Sequence, residues 1–233
     1  MKLYMPTCNA LDHLLPGTAW LFNKYWSPDQ EVIVCGDRPP EGLPANFSFR
    51  TRASEPWAHA LRPIIEAESD PYFGLLLDDY WIYDSVNLPI VEELKGMLDR
   101  NEIKKGDLSN NTIGLGAEPF NGHPKFWVAK QMATYRSSTQ AAIWSKGYLM
   151  KLLKPDRNIW QFEIVGIGET CNDGANIAAY ESTVCNYANI YYKGAIVNWQ
   201  VDKLKAEDIQ AMWDANICRD VLAYSAYIVK KGK

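Results

Sequence analysis

The stretch Leu75-Leu76-Leu77-Asp78-Asp79-Tyr80-Trp81 decides the fold class, because an apolar run ends there in two adjacent carboxylates. Two Asp side chains at the carboxyl end of a central strand repel each other and lose hydration, unless a positive group compensates them. Mg²⁺ and Mn²⁺ take oxygen ligands, often one or two carboxylates together with the phosphates of a substrate. The pair therefore indicates a divalent-metal site beside a diphosphate. The alternative interpretation is a helix N-cap or a solvated turn.

The segments around this stretch alternate between strands and helices. Strands are predicted at residues 2–7, 31–35, 47–51 and 72–77, and helices at residues 14–26 and 57–68. This alternation predicts an α/β domain with a mostly parallel sheet flanked by helices. Because ligands bind beyond the carboxyl ends of such strands, Thr7, Asp37 and the Asp78-Asp79 pair are expected to meet in one crevice.

The second half of the chain gives weaker patterns. A helix is predicted to follow Asn87 to about Arg100. The remaining predictions are a loop or edge strand at 104–111, extended chain at 126–128 and 134–144, helices at 145–153 and 158–165, a late strand at 188–197, and a helix from 205 toward 227. No repeat, linker or shift in composition divides the sequence, so we expect a single domain over residues 1–233.

Composition excludes several classes of protein. The chain has 233 residues, of which 47% are apolar and 22% charged, and its net charge of −4 argues against broad binding to nucleic acid. No run approaches the roughly 18 apolar residues that a transmembrane helix needs, so a cytoplasmic protein is expected. The five cysteines are dispersed without a CxxC pair, which argues against a zinc site. Nine tryptophans and 13 tyrosines suit either sugar-stacking surfaces or a core.

Four segments in this order carry a resemblance to a known family. They are Pro6-Thr7-Cys8 with Phe22-Asn23-Lys24-Tyr25-Trp26, Trp57 with the helix that leads into the Asp78-Asp79 stretch, Gln140-Ala141-Ala142-Ile143-Trp144, and Trp160-Gln161-Phe162-Glu163. The chain resembles the nucleotide-sugar-dependent glycosyltransferases of the GT-A fold, particularly small bacterial and viral enzymes of surface-glycan or capsid glycosylation. The resemblance implies a Rossmann-like sheet, with a nucleotide-binding half at about residues 1–100 and an acceptor-binding half at about 101–233.

The resemblance also implies roles for the residues of the first half. Asp78 and Asp79 match the metal-binding carboxylates, although the usual pattern is Asp-x-Asp; we favour Asp79 on the metal and expect Asp78 to contact the donor as well. Thr7 is expected to hydrogen-bond the nucleotide, Asp37 to accept from a pyrimidine or ribose, and Trp57 to pack under the nucleotide. The alternatives are turn formation for Thr7 and Asp37 and a helix anchor for Trp57.

In the second half, Glu163 is the candidate catalytic base, because sugar transfer with inversion needs a carboxylate that takes the proton of the attacking hydroxyl. The alternative is a helix that carries Trp160 and Ile164 into the core and leaves Glu163 exposed. Gln140, Trp144 and Trp160 are expected to line the sugar or acceptor pocket, although Trp144 equally suits a core.

The sequence thus predicts a glycosyltransferase dependent on Mn²⁺ or Mg²⁺, which moves a sugar from a uridine diphosphate donor to a hydroxyl of a glycan or other acceptor. Two alternatives stay open. A nucleotidyltransferase also holds phosphates with carboxylates and metal, but it would need a basic, glycine-rich loop near the first strand. A non-catalytic carbohydrate-binding module would keep the aromatic surface without the chemistry.

Overall fold

The computed structural model describes residues 1–52 and 56–232. The strands are β1 Leu3–Pro6, β2 Val32–Gly36, β3 Phe47–Thr51, β4 Tyr72–Leu75, β5 Tyr80–Ile82, β6 Lys105–Asp107, β7 Ala117–Pro119, β8 Phe126–Ala129, β9 Ala142–Ser145, β10 Ile177–Tyr180, β11 Tyr187–Asn189, β12 Tyr191–Tyr192 and β13 Ala195–Ile196. The helices are α1 Leu15–Tyr25, α2 Trp57–Glu66, α3 Leu88–Asp99, α4 Asn111–Gly114, α5 Lys146–Leu152, α6 Ile159–Thr170, α7 Asn198–Val201, α8 Ala206–Asp214, α9 Arg219–Leu222 and α10 Ala226–Lys230, with a 3₁₀ turn at Asp12–Leu14.

Within the described residues, nine strands form one central sheet in the order β3-β2-β1-β4-β9-β6-β10-β8-β7. The first four strands are parallel to one another, and β6 and β10 run in the same direction as these four. Only β9 and β8 run against that direction, since β7 is antiparallel to β8. The prediction of an α/β fold with a mostly parallel sheet is therefore confirmed.

Helices cover both faces of the sheet, which explains why its strands are apolar on both sides. Along β1, Leu3 and Met5 point into one apolar cluster, whereas Tyr4 between them points into the other. The first cluster contains residues of α1 and α3, and the second contains residues of α2, α5 and α6. The carboxyl ends of β1, β2 and β4 consequently lie at one edge, between two helical layers.

Within the polar stretch at residues 104–111, residues 105–107 form a central strand, so the prediction of a loop or edge is wrong for these three residues. β6 lies between β9 and β10, where Lys105 and Asp107 are almost fully buried. Lys105 donates from Nζ to the carbonyl of Ser138 (2.8 Å) and lies 4.7 Å from the ring centroid of Trp144. Its burial lowers the pKa of the Lys105 ammonium. Buried polar groups are tolerated where such partners exist, and here the partners are distant in sequence.

Three further predictions need correction. In the stretch 134–144, which was expected to be extended, only residues 142–144 belong to a strand, β9, and residues 134–137 form turns. The expected late strand at 188–197 is divided among β11, which pairs with β5, and the β12–β13 hairpin. The expected helix from 205 toward 227 is divided into α8, α9 and α10, with Asn216 and Cys218 in left-handed conformation at one break. In the described residues, no helix combines the length and the apolar character that crossing a membrane requires.

Candidate functional site

A cleft of about 640 Å³ opens at the carboxyl ends of β1 and β4. Thr7 follows β1 directly, and the Asp78-Asp79 pair follows β4 after two residues. The amino-terminal turns of α2 and α6 form part of the cleft wall. Seven of the nine residues singled out in the sequence line this cleft, namely Thr7, Trp57, Asp78, Asp79, Gln140, Trp160 and Glu163.

Asp78 is held rigidly at the base of the cleft. Its side chain accepts a hydrogen bond from Thr7 Oγ1 at 2.5 Å, and its carbonyl accepts one from Thr18 Oγ1 at 2.6 Å. Asp78 is 3% exposed. Burial and the neighbouring charge of Asp79 raise the pKa of Asp78 well above its ordinary value, against the lowering effect of the Thr7 hydrogen bond.

The two carboxylate oxygens of Asp79 differ in their hydrogen bonds. The hydrogen-bonding pattern orients the Asn189 amide so that its nitrogen donates to Asp79 Oδ2 (2.9 Å) and to the carbonyl of Tyr191 (2.8 Å). Asp79 Oδ1 is buried and has no hydrogen-bond partner among the described residues. Burial raises the pKa of Asp79 to about 7.

These features fit a divalent cation at the Asp78-Asp79 pair, which we call the dyad. An unpartnered buried oxygen and two adjacent acids with raised pKa values both favour a positive charge at this position. Within the described residues, no group of three or more His, Cys, Asp or Glu side chains forms a complete metal cage. Such a cage is not required, since Mg²⁺ commonly binds one or two carboxylates and takes its other oxygens from water and substrate phosphates.

Glu163 lies on α6, whose first turn is closed by a capping box between Asn158 and Gln161. Glu163 Oε1 accepts hydrogen bonds from the Thr139 backbone nitrogen and from Thr139 Oγ1, both at 2.6 Å. The alternative prediction is thus correct that Glu163 lies on a helix, but it is wrong about which residues of this helix face the core. Phe162 packs in the core, whereas Trp160 and Ile164, which this alternative buried, are 57% and 58% exposed. Glu163 is half-buried and faces the cleft.

Gln140 belongs to a polar network below the cleft. Its Oε1 accepts from the Tyr187 hydroxyl and from Asn111 Nδ2, the latter at 3.2 Å, and its Nε2 donates to the Tyr80 hydroxyl at 3.3 Å. The rings of Tyr80 and Tyr187 stack with centroids 4.2 Å apart. Because both ends of the amide have partners, its orientation in the cleft is fixed.

The two cleft tryptophans differ in exposure. Trp57, at the start of α2, is 7% exposed and packs edge-on against Phe162 with ring centroids 5.3 Å apart. It therefore anchors its helix and contributes to the cleft wall at the same time. Trp160 offers most of a ring face at the rim, where a sugar or an apolar group can stack on it.

Asp37 and Trp144 lie outside the cleft lining. Asp37 is exposed after β2 and accepts from Arg52 Nε at 3.1 Å, so it reaches the cleft only through Arg52. Trp144 is fully buried, because β9 runs through the middle of the sheet and directs this ring toward Tyr148 and Phe162. The structure makes Trp144 a core residue rather than part of a sugar pocket.

Several cleft residues were not predicted. Arg52 lies after β3, Asn189 ends β11, and the β12–β13 hairpin supplies Lys193 and Gly194 at its turn. Both turn residues have positive φ, 49° and 87°, which is the signature of a two-residue hairpin. The Lys-Gly pair between short apolar segments was a usable signal for the hairpin, but no local pattern pointed Asn189 at Asp79.

Comparison with known proteins identifies the fold. No protein-family model and no curated protein matches the chain. Among solved structures, the mannosyltransferase PcManGT from Pyrobaculum calidifontis, in complex with GDP-Man and Mn²⁺, aligns with a TM-score of 0.55 and 13% identity over 96% of this chain and 68% of that one. The 1–349 segment of TarS from S. aureus aligns with a TM-score of 0.53 and 11% identity over 96% of this chain and 70% of that one. At such low identity the likeness concerns the fold, and it shows that this chain has the Rossmann-like GT-A architecture.

Proposed function

We propose that this protein is a metal-dependent glycosyltransferase that moves a sugar from a nucleotide diphosphate donor to a hydroxyl of a glycan or other acceptor. The observation that carries the proposal is the convergence of Thr7, Asp79, Gln140 and Glu163 from distant segments of the sequence on one cleft of a GT-A fold. The metal dyad and the candidate base both line this cleft, as transfer between two substrates requires.

Asp79, with Asp78 beside it, would hold Mn²⁺ or Mg²⁺. When bound, such a cation supplies Lewis-acid stabilisation of the negative charge that develops on the departing nucleoside diphosphate. Thr7 keeps Asp78 in place from below, and Asn189 does the same for Asp79. The presence of Mn²⁺ with GDP-Man in PcManGT supports a metal-assisted reaction on this fold.

Glu163 would act as the base. Thr139 occupies Oε1 with two short hydrogen bonds and so fixes the direction of the carboxylate. We assign acceptance of the proton from the attacking hydroxyl to Oε2. Proton transfer to a positioned carboxylate typically accelerates such a step by about 10²–10⁴-fold.

The donor base and the compartment are finer parts of the proposal. We propose uridine diphosphate as the nucleotide, following the family resemblance of the sequence, and a cytoplasmic location stays a prediction. A nucleotidyltransferase is less favoured, because the loop after β1 carries Thr7, Cys8 and Asn9 rather than a basic, glycine-rich phosphate loop. The cleft cations Arg52 and Lys193 come from other segments.

Calorimetry with uridine diphosphate, with and without Mn²⁺, tests the dyad. We expect nucleotide affinity to rise with Mn²⁺ in the wild type and to lose this dependence in Asp79→Asn. Asp29→Asn, an exposed Asp on the loop before β2, serves as the matched control and should behave as wild type. Metal-independent binding in the wild type, or full metal dependence in Asp79→Asn, would remove the assignment. Absence of any nucleotide binding would favour the carbohydrate-binding module.

Glu163→Gln tests the chemical step. The amide keeps the size of the side chain but cannot take the proton, so transfer should fall by about 10²–10⁴-fold while donor affinity is unchanged. Glu181→Gln, at an exposed position beyond the cleft, is the control. Unchanged turnover in Glu163→Gln would exclude Glu163 as the base.

A further inference from the structure

Helix α6 exposes an apolar strip that begins at the cleft. Trp160 and Ile164 are 57% and 58% exposed, and Ile167 and Cys171 continue the same face at helical spacing, both half-buried. At the far end, the sulfur of Met132, a residue that is 68% exposed, lies 3.0 Å from the sulfur of Cys171. We call these five residues the apolar stripe. From residue 160 to 171 it spans about 17 Å along the helix axis.

The stripe carries no charge. The only charged residues of α6 are Glu163 and Glu169, and both have partners away from the stripe. Glu163 accepts from Thr139, and Glu169 Oε1 lies 2.6 Å from Nη2 of Arg157. A surface helix of a globular protein normally presents charged or polar residues to water, so a continuous uncharged face indicates a surface that binds something apolar.

The area of the apolar stripe limits the kind of molecule that can bind to it. An aromatic side chain contributes about 150–250 Å² when fully exposed, and the other four side chains of the stripe are smaller than Trp160, so the five at these exposures offer on the order of 400 Å². A stable protein–protein interface needs about 800 Å² from each partner. The stripe is therefore too small for a second copy of the chain, and its length and narrow width match a single extended apolar chain.

The position of the stripe relates it to the acceptor. Trp160 and Glu163 lie within one turn of α6, and both line the cleft. An acceptor hydroxyl that reaches the Glu163 carboxylate must leave its remaining atoms at the mouth of the cleft. Tyr192, which is 50% exposed, lies on the hairpin that also lines this cleft. The stripe thus continues directly from the place where the acceptor must lie.

We infer that the apolar stripe binds an alkyl or prenyl chain attached to the acceptor, so that the acceptor is an amphipathic glycoside or glycolipid rather than a free sugar. This inference rests on the proposed function, and it specifies the substrate class of that same site. The alkyl or prenyl group would contribute equally to binding in the ground state and in the transition state, which lowers KM and leaves kcat unchanged.

The test compares n-octyl and methyl β-glucoside, both below the concentration at which the octyl compound forms micelles. Binding is measured by calorimetry on the 233-residue chain without donor or metal. We expect the octyl compound to bind at least about tenfold more tightly, because burial of two methylene groups alone is worth about that factor. Ile164→Lys should abolish the difference. Val229→Lys, at an apolar residue of α10 that is 66% exposed, should retain it.

Other outcomes overturn the inference. Equal binding of the two glucosides to the wild type, or equal octyl preference in Ile164→Lys and Val229→Lys, removes the stripe as the binding surface. Sedimentation of the wild type as a dimer that Ile164→Lys dissociates would make the stripe an interface between copies. Binding to phosphatidylcholine vesicles that Ile164→Lys abolishes, without octyl preference, would make it a membrane contact. Because these measurements need neither donor nor metal, octyl preference without metal-dependent nucleotide binding would refute the proposed function alone.

Discussion

Gly166→Ala tests how α6 packs against Ser137, and Gly168→Ala on the same helix is its control. A Cβ at Gly166 would lie 2.4 Å from Ser137 Oγ and 3.0 Å from Ser137 Cβ, whereas a Cβ at Gly168 meets no atom within 4 Å. Replacement of Gly by Ala inside a helix stabilises a protein by about 1 kcal/mol, and this gain applies to both variants. The difference between them therefore isolates the clash with Ser137, which is fully buried.

Overpacking of a well-packed site costs about 1–3 kcal/mol. We expect Gly168→Ala to unfold at higher denaturant than the wild type, and Gly166→Ala to be less stable than Gly168→Ala by about 1–3 kcal/mol. Urea unfolding of the three proteins measures this difference. Gly166→Ala with Ser137→Ala loses the closer contact and should recover part of the stability. Equal stabilisation by the two glycine substitutions would refute the packing of α6 against Ser137.

The same pair of variants tests the site. Ser137 is two residues before Thr139, the residue that orients the Glu163 carboxylate, and Ser137 Oγ donates to the Glu163 carbonyl at 3.2 Å. A shift of α6 away from Ser137 would therefore move the proposed base, Glu163, relative to Thr139, and misplacement by 1 Å can cost about 10²-fold in rate. We expect kcat to fall in Gly166→Ala and to be unchanged in Gly168→Ala, with equal donor affinity.

Two further predictions concern Asn189 and Glu68. Loss of the Asn189 amide in Asn189→Ala should weaken Mn²⁺ binding by about 10–100-fold, because residues that orient metal ligands commonly have effects of this size; unchanged Mn²⁺ affinity in calorimetry would exclude this role. Burial raises the pKa of Glu68, but hydrogen bonds from Lys2 and Tyr4 outweigh it and lower the pKa from 4.5 to about 2, equivalent to about 3 kcal/mol. This stabilisation is present above pH 4.5 and is lost as the pH falls toward 2. The free energy of unfolding should therefore decrease more on acidification in the wild type than in Glu68→Gln. Parallel plots of unfolding free energy against pH for the two proteins would contradict this role of Glu68.

The first half of the fold could be predicted because its signals are local. The strand at Phe47–Thr51 has its predicted bounds, and no end of β1, β2 or β4 differs from its predicted position by more than two residues. These strands are apolar runs that end in turn-forming residues, and both features lie within a few residues of each other. Their parallel arrangement then brings Thr7 and the dyad to one edge of the sheet without further information.

The second half depends on contacts that no local pattern reveals. β6 contains Lys105 and Asp107, and such charged residues are typical of a solvated loop. The partner of the buried Lys105 ammonium is the carbonyl of Ser138, which is distant in sequence. β11 is equally short, yet it pairs with β5 directly after the dyad and so carries Asn189 to Asp79. A place in the cleft lining could be predicted for Thr7, Asp78 and Asp79, which follow strands. It could not be predicted for Asn189, which depends on the pairing of β11 with β5, and the same reasoning misplaced Asp37, which follows β2 but lies outside the lining.

Three acids with buried side chains have a basic partner that the dyad lacks, whereas buried Asp107 is held, like the dyad, by neutral donors, here Ser109 and Thr112. Glu68 lies 2.7 Å from Lys2, Asp173 lies 3.1 Å from Arg136, and Asp208 pairs with Lys24. Each of these acids has its own cation, and each of these pairs is part of the scaffold.

Asp78 and Asp79 are supported differently. Their side chains accept from Thr7 and Asn189, which are neutral, and in residues 1–52 and 56–232 no basic side chain lies within ion-pair distance of either carboxylate. A permanent Lys or Arg partner would relieve the repulsion between the two acids, but it would also take the place of an exchangeable cation. Neutral donors fix the positions of the carboxylates and leave their charge uncompensated. Under the proposed function, such a site would gain most from a cation that binds together with the diphosphate of the donor, as metal-assisted sugar transfer needs.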